Sequence, residues 1–188
     1  MVTTIISSFL LFVSSSALAA KINQATCSDL RLRNHKTVTP QYLAEIEGFN
    51  KNGKQVYDEI DTENIMNKSE NIDIECAKDL FANVNTVRKA SQAPSSALQG
   101  KKKYSNTKIR PLQSNCEGFL KLDEELRPLA VHWIAGHEKF GKLSRHDEFD
   151  VTFLELPVSD LVAQCRAQPN SSFFSQTKAW LKKQSSSQ

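Results

Sequence analysis

The chain of 188 residues has little glycine or proline, with six of each, and only two tryptophans. This composition excludes a collagen-like or low-complexity protein. Cys-x-x-Cys and G-x-S-x-G sequences are absent, so neither a thioredoxin-like redox site nor a serine-hydrolase elbow is indicated. Because no residue pattern points to a nucleophile with a matching base, we predict no catalytic residues and no enzymatic activity.

Long apolar runs are missing everywhere except at the N-terminus. Residues 5–13 are mostly apolar but too few to cross a bilayer, which needs about 20 residues. The sequence Ala17-Leu18-Ala19 follows, and such small residues are typical of a signal-peptide cleavage site. We therefore predict that residues 1–20 form a cleaved secretory signal peptide and that the mature protein has no stable membrane insertion. The alternative is an uncleaved anchor or a buried N-terminal helix.

Charge is concentrated in one short region. The formal net charge is +3, and residues 100–110 alone carry five basic and no acidic residues. The surrounding sequence is rich in serine and has no helical apolar stripe, so we predict a basic flexible linker at 93–109. It separates a first domain, 21–92, from a second domain, 110–188. Neither domain has a basic excess, so we predict no nucleic-acid partner.

The four cysteines reveal an internal repeat. Cys27 and Cys76 are 49 residues apart, and so are Cys116 and Cys165. A second pattern, in which one proline is followed by two glycines and a lysine at the spacing Pro-x7-Gly-x4-Gly-Lys, also occurs once in each half. Four cysteines allow three pairings, and the duplication favours Cys27–Cys76 and Cys116–Cys165. Export to an oxidising compartment would let these bonds form, and we expect them to be structural.

The repeated glycines also give a partial match to a phosphate-binding loop. The segments Gly48 to Lys54 and Gly136 to Lys142 contain G-x4-G-K, but a helix rather than a strand is predicted before each. We interpret these glycines as helix-ending residues and predict no nucleotide cofactor. The histidines, among them His132 and His137, have no metal-ligand spacing, so we predict surface or boundary positions and no metal site.

The apolar periodicity is helical. Thr39-Pro40 and Pro128 are suited to the first turn of a helix, and apolar residues recur behind both prolines at helical spacing. Further helices are predicted through Cys165, at the aromatic C-terminus, and over the residues Leu80, Phe81, Val84 and Val87. The segment 151–156 is a strand or an extended loop. We predict two small all-α domains, each closed by one disulfide between its first and penultimate helices.

The second domain contains the motifs Asn115-Cys116-Glu117-Gly118-Phe119-Leu120 and Leu126-Arg127-Pro128, followed by Cys165 and a basic C-terminal helix. With these motifs, residues 114–183 resemble the HdeA/HdeB family of periplasmic acid-stress chaperones. Residues 25–90 resemble a more diverged copy, with Cys27, Pro40 and Cys76 in the matching places. The resemblance implies two tandem HdeA-like domains, a periplasmic location and no cofactor.

The family resemblance implies a holdase that unfolds partly in acid and binds acid-denatured proteins through exposed apolar surface. In strong acid the 21 carboxylates become neutral, and 24 basic residues with four histidines give a charge of about +28. Repulsion on this scale should loosen two small cores. The predicted client-binding residues are Tyr42, Leu43, Ile46, Phe49, Leu126, Val131, Trp133, Ile134, Val151, Phe153, Leu154 and Leu156.

The fusion of two domains departs from the family pattern of one domain per chain. We expect the two domains to pack on each other as an internal pseudo-dimer. The alternative function is a secreted, non-enzymatic binding or adaptor module on the same fold. The response to acid distinguishes the holdase from the adaptor, because an adaptor need not expose apolar surface at low pH.

Overall fold

The computed structural model describes residues 25–31, 37–51, 59–91, 104–139 and 157–186, together with the backbone of 20–21 and 148–149. The helices in these ranges confirm the predicted all-α class. They are α1 (Thr39–Lys51), α2 (Thr62–Cys76), α3 (Val84–Ala90), α4 (Cys116–Leu120), α5 (Arg127–Lys139), α6 (Ser159–Ala167) and α7 (Phe173–Ser186), with 3-10 helices at Cys27–Leu30 and Glu124–Leu126.

The strands are two residues long and antiparallel. β1 (Ala20–Lys21) pairs with β4 (Glu148–Phe149), and β2 (Ile60–Asp61) pairs with β3 (Lys108–Ile109). Such short pairs cannot form a core of their own, because an isolated two-stranded unit is marginally stable in water. They act as ties between segments that are distant in sequence.

The C-terminal part of the predicted linker is packed rather than flexible. Tyr104 and Thr107 are buried, and β3 continues directly from them. The amide and the hydroxyl of Thr62 both donate to the carbonyl of Thr107, at 2.9 and 2.8 Å. The prediction gave too much weight to the serine and lysine content, whereas these two hydrogen bonds and the β2–β3 pairing tie residues 104–109 to the start of α2.

Two disulfides join the cysteine pairs that the spacing favoured, Cys27–Cys76 and Cys116–Cys165. The first links a 3-10 helix to the end of α2, and the second links α4 to α6. Each closes a loop with a sequence separation of 49 residues. In the chain-entropy account, such a loop closure removes roughly 4 kcal/mol of unfolded-state freedom.

The backbone around the two disulfides repeats at a shift of 89 residues. The amide of Cys27 donates to the carbonyl of Ala82 at 3.0 Å, and the amide of Cys116 donates to that of Ser171 at 2.9 Å. The next residue repeats the pattern, since Ser28 donates to Leu80 and Glu117 to Pro169, both at 2.8 Å. Residues 25–91, hereafter the first half, and 104–186, the second half, thus share a hydrogen-bonded frame at their disulfides.

Pro40 and Pro128 lie in the first turns of α1 and α5, as predicted from the sequence. Pro40 is the second residue of α1, and Pro128 is the second residue of α5. The helix predicted over Leu80 to Val87 begins only at Val84, because the Asn83 side chain caps it by accepting from the amides of Asn85 and Thr86. Leu80 and Phe81 lie in the turn before this cap.

Candidate functional site

The most extensive helix contact in the described structure is between α1 and α5. A Cβ built on Gly48 would overlap the backbone carbonyl of Trp133, and one built on Gly136 would overlap the backbone carbonyl of Glu45. The two contacts are reciprocal, because Trp133 and Gly136 lie 88 positions after Glu45 and Gly48. Each helix therefore places its glycine against the corresponding carbonyl of the other helix. Glycine permits this backbone approach because it has no side chain.

This contact corrects the interpretation of the repeated glycines. Gly48 and Gly136 lie inside α1 and α5, not at their ends. The second glycine of each pattern, Gly53 or Gly141, lies outside the described residues. A glycine near the end of a helical pattern has the same sequence signature as a glycine in a helix crossing, so periodicity alone did not separate the two.

The predicted client-binding residues on α1, on α5 and in the 3-10 helix before α5 are buried, except for Phe49, which is half-buried. Leu43 and Ile46 retain 8% and 7% exposure. The four predicted residues of the 151–156 segment, Val151, Phe153, Leu154 and Leu156, lie outside the described residues. The predicted client-binding residues with less than 1% exposure are Tyr42, Leu126, Val131, Trp133 and Ile134.

A buried pair of ionisable side chains lies in the same crossing. Nδ1 of His132 on α5 is 3.6 Å from Oε2 of Glu45 on α1, and their side chains are 3% and 1% exposed. The sequence placed His132 at a surface or boundary position, which is wrong. The carboxylate beside it, Glu45, lies 87 residues earlier in the chain, and no local pattern connects the two.

Tyr42 is the neighbouring titratable group on α1. Burial raises the pKa of Tyr42 to about 12, the positive charge of Arg88 on α3 opposes the rise, and the negative charge of Glu45 adds to it. Tyr42 therefore remains neutral throughout the acidic range.

A second histidine connects α5 to α7. The His137 ring stacks on Trp133 with centroids 5.5 Å apart and meets the edge of Phe174 at 6.1 Å. Nζ of Lys178 lies 2.7 Å from Oε2 of Glu138 beside it. Burial lowers the pKa of His137 below its ordinary value, the Glu138 carboxylate acts against this, and Lys178 adds to the lowering.

A half-buried carboxylate, Asp73, joins α2 to the start of α1. Asp73 accepts hydrogen bonds from the hydroxyls of Thr39 at 2.5 Å and Thr37 at 3.0 Å. Burial raises the pKa of Asp73, while these two hydrogen bonds lower it in part. These two hydrogen bonds hold the first turn of α1 against α2, and no local sequence pattern indicated them because the bonded residues are more than 30 positions apart.

Large exposed apolar side chains in the described chain are confined to the first half. Phe81 is 84% exposed, Ile74 is 55% exposed and Leu80 is 37% exposed. The positions 89 residues later are Asn170, Ala163 and Pro169, which present little apolar surface. This difference was not predicted from the sequence, because Leu80 and Phe81 were assigned to a helix face.

The described residues hold no group of three or more His, Cys, Asp or Glu side chains that could bind a metal ion. In the same part of the chain, every helix is too short or too polar to cross a bilayer. Both cysteine pairs are oxidised, and there is no free thiol. The features from which a function can be argued in the described residues are therefore helix surfaces, buried ionisable side chains and disulfides.

These features define a class: a small helical protein with two disulfides whose halves meet through a tight, glycine-lined helix pair. The chain is similar to proteins named "Probable acid stress chaperone HdeA" from Brucella ovis, Brucella abortus and Brucella melitensis. Each is 34% identical over 68 residues, which is 36% of this chain and 59% of the relative. No family profile and no solved structure matches the chain.

Proposed function

We propose that this protein is a periplasmic acid-stress holdase made of two fused HdeA-like domains. In this proposal the α1–α5 crossing takes the place of a dimer interface, and the two domains pack as an internal pseudo-dimer. Acid opens the crossing and uncovers the buried faces of both helices, which then bind acid-denatured periplasmic proteins. The predicted signal peptide supports export, and two disulfides suit an oxidising compartment.

One observation carries the proposal: the predicted client-binding residues of α1 and α5 are buried against each other across a reciprocal contact. Reciprocity is what a two-fold interface between similar units produces, since the same patch is used on both sides. A surface that is covered in the folded state cannot bind clients until the two helices separate. The same apolar area therefore stabilises the folded protein at neutral pH and serves as a client-binding surface in acid.

The electrostatics favour opening in acid. The formal charge changes from +3 to about +28 when the 21 carboxylates are protonated and four histidines are charged. The indole Nε1 of Trp133 is buried, and no acceptor among the described residues bonds to it. Opening the crossing would let water hydrate this group, which lowers the cost of exposing the ring. The disulfides would keep each half compact while the halves separate.

The direct test is suppression of client aggregation. The mature, oxidised protein is mixed with an acid-labile client, shifted to about pH 2 and neutralised, while light scattering is recorded. We expect suppression in acid, retention of the client in soluble form on neutralisation, and loss of both when the disulfides are reduced. A protein that opens in acid without reducing scattering would contradict the proposal and favour the adaptor alternative.

A further inference from the structure

A groove lies between the β2–β3 pair and the end of α4. Its volume is about 640 Å³, within the range of about 300–1,000 Å³ that is usual for ligand sites. It is lined by the continuous segment 105–110, which contains β3, and by Gly118, Lys121 and Leu122 from α4 and the residues that follow it. No described residue of α1 or α5 lines the groove, so it is accessible while the α1–α5 crossing is closed.

Hydrogen bonding in β3 alternates between the two edges of the strand. The amide of Thr62 donates to the carbonyl of Thr107, and the register pairs Ile60 with Ile109. In an antiparallel pair, residues that exchange hydrogen bonds alternate with residues that do not. Lys108, between the two bonded positions, therefore directs its amide N–H and its carbonyl away from β2.

The outer edge of β3 faces the segment that follows α4. Asn106, two residues before Lys108 on the same edge, accepts a hydrogen bond from the amide of Asp123 at 3.1 Å. The groove continues along this edge, beside Lys121 and Leu122. An extended peptide in the groove can therefore add a third strand, with Lys108 as the residue that bonds to it.

The charged side chains that line the groove are mainly cationic. Lys108, Arg110 and Lys121 line it, and Glu59 is the one acidic residue among its described lining. Nζ of Lys108 lies 3.6 Å from Oε1 of Glu59, and Nζ of Lys121 lies 2.8 Å from Oε1 of Glu117. Exposed pairs of this kind contribute little to stability, so a carboxylate of a ligand can join or replace them. Arg110 is exposed, and its guanidinium forms no ion pair with a described residue.

We infer that this groove binds an extended acidic segment of a partner polypeptide, which pairs with the outer edge of β3 as an antiparallel strand. The backbone of Lys108 presents both a donor and an acceptor to the groove. A peptide backbone matches both, whereas an ionised phosphate or sulfate group supplies acceptors alone. The site is separate from the proposed holdase surface and does not depend on the opening of that surface in acid.

The strand geometry also predicts the sequence of the ligand. Side chains directly opposite each other in neighbouring strands lie on the same face of the sheet and interact. Acidic residues at alternate ligand positions therefore lie beside Lys108 and Arg110. The residue between them shares the face of Ile109, which is buried, so this ligand residue is apolar. The preferred ligand sequence is acidic–apolar–acidic.

The first test measures peptide binding to the mature, oxidised protein at about pH 7, where peptide carboxylates are ionised. The probe is a fluorescein-labelled peptide with the central run Glu-Val-Glu-Val-Glu, and binding is followed by anisotropy. We expect binding at least tenfold tighter than that of the same peptide with glutamine for glutamate. No binding below about 1 mM would overturn the inference.

Two methylated peptides of equal charge test the strand pairing. Methylation of the glutamate amides blocks the hydrogen bond to Lys108 and should abolish binding. Methylation of the valine amides blocks the opposite edge of the ligand and should leave binding nearly unchanged. Equal binding of the two isomers would reduce the interaction to a general attraction of charges and would overturn the inference. Displacement of the peptide by inorganic phosphate or by phosphatidylglycerol vesicles of matched charge would do the same.

Substitutions locate the site. Arg110→Gln and Lys121→Gln should each weaken peptide binding about two- to fivefold, as expected for partly exposed ion pairs. Lys78→Gln is the matched control, because Lys78 is an exposed lysine whose Nζ lies 2.7 Å from Oε1 of Glu75, outside the groove. It should leave binding unchanged. Equal weakening by all three substitutions, with circular dichroism unaltered, would contradict a site in the groove.

A second measurement needs no substitution. Amide hydrogen exchange in the unsubstituted protein should slow at Lys108 when the peptide binds and remain unchanged in α1 and α5. Binding without protection of Lys108 would overturn the inference. Peptide binding is measured near neutral pH and client suppression in acid, so failure of one is distinguishable from failure of the other.

Discussion

The two halves of the chain share a backbone frame but fill it differently. In the second half the rings of Phe119 and Phe173 stack with centroids 4.3 Å apart inside the frame. The positions 89 residues earlier are Leu30 and Val84, which are buried but smaller. Buried Trp180 corresponds in the same way to Ser91. At these three described positions the first half therefore has smaller side chains around the same disulfide and the same hydrogen bonds.

This difference teaches that the frame and the core are separable. The disulfides and the backbone hydrogen bonds beside them determine which segments of each half lie next to each other. The volume of the buried side chains determines how much each half contributes to the stability. Burial stabilises by roughly 25 cal/mol per Å² of apolar surface removed from water, so a buried Phe or Trp contributes more than a smaller side chain at the matching position. We expect the first half to depend more on its disulfide and on its contact with α5 than the second half depends on its own bridge and on α1.

The largest expected effect comes from removing one disulfide at a time. Cys27→Ser with Cys76→Ser should cost about 4 kcal/mol and unfold the first half before the second. Cys116→Ser with Cys165→Ser should leave a second half that still folds, because its aromatic core remains. Urea unfolding at neutral pH, followed by circular dichroism and by tryptophan emission, measures both. Equal losses in the two variants would break the comparison between halves.

The next effect concerns the glycines of the crossing. Gly136→Ala places a Cβ against the Glu45 carbonyl, so α1 and α5 must move apart, and overpacking of this kind costs typically 1–3 kcal/mol. Gly48→Ala should behave alike because the contact is reciprocal. The control is Gly118→Ala in α4, where the nearest atom to a new Cβ is at 3.5 Å. Thermal unfolding that ranks Gly118→Ala as more harmful than Gly136→Ala would contradict the crossing.

A smaller, pH-dependent effect is expected for His137. Because its pKa is lowered in the folded state, the neutral ring is favoured there, and its contribution is complete above the ordinary pKa of about 6.5. That contribution is lost as the pH falls through the lowered folded pKa. His137→Gln should therefore flatten the fall in unfolding free energy between about pH 7 and pH 5. An unchanged slope, measured by denaturant titration at each pH, would contradict the burial of this ring against α7.

The smallest effect is expected at Asp73, and its sign is opposite. A raised carboxyl pKa means that the protonated form is favoured in the fold, so the contribution is present below the ordinary pKa and lost as the pH rises through the folded pKa. Asp73→Asn keeps an oxygen that accepts from Thr39 and should raise stability slightly at neutral pH but not in acid. Paired unfolding curves at about pH 7 and pH 3 would show it. A loss of stability at neutral pH would instead mean that the charge strengthens the hydrogen bonds to Asp73.

The sequence predicted the parts of the fold that local chemistry determines. Pro40 and Pro128 marked helix starts because proline fits the first turn of a helix. Cysteine spacing indicated both disulfides because it repeats. The resemblance to acid-stress chaperones came from short motifs around Cys116 and Pro128, and the similar Brucella proteins are 34% identical over 68 residues, 36% of this chain.

The parts that were missed depend on contacts between distant residues. Gly48 and Gly136 meet backbone from the other half, and the buried His132 lies beside Glu45 of the other half. A single sequence gives no register between α1 and α5, so neither contact could be read from periodicity. The packed segment 104–109 was missed for the same reason, since its partners lie at Ile60 to Thr62.

The central claim is that acid opens a helix pair within one chain, and the concentration dependence of opening tests it most directly. The acid midpoint of Trp133 emission is measured in the Trp180→Phe background over a hundredfold range of protein concentration, with sedimentation alongside. The account predicts one midpoint at all concentrations, because α1 and α5 remain joined by the chain when they separate. A midpoint that falls to lower pH as the concentration rises, with a dimer dissociating in step, would show that the functional interface lies between molecules and would contradict the account.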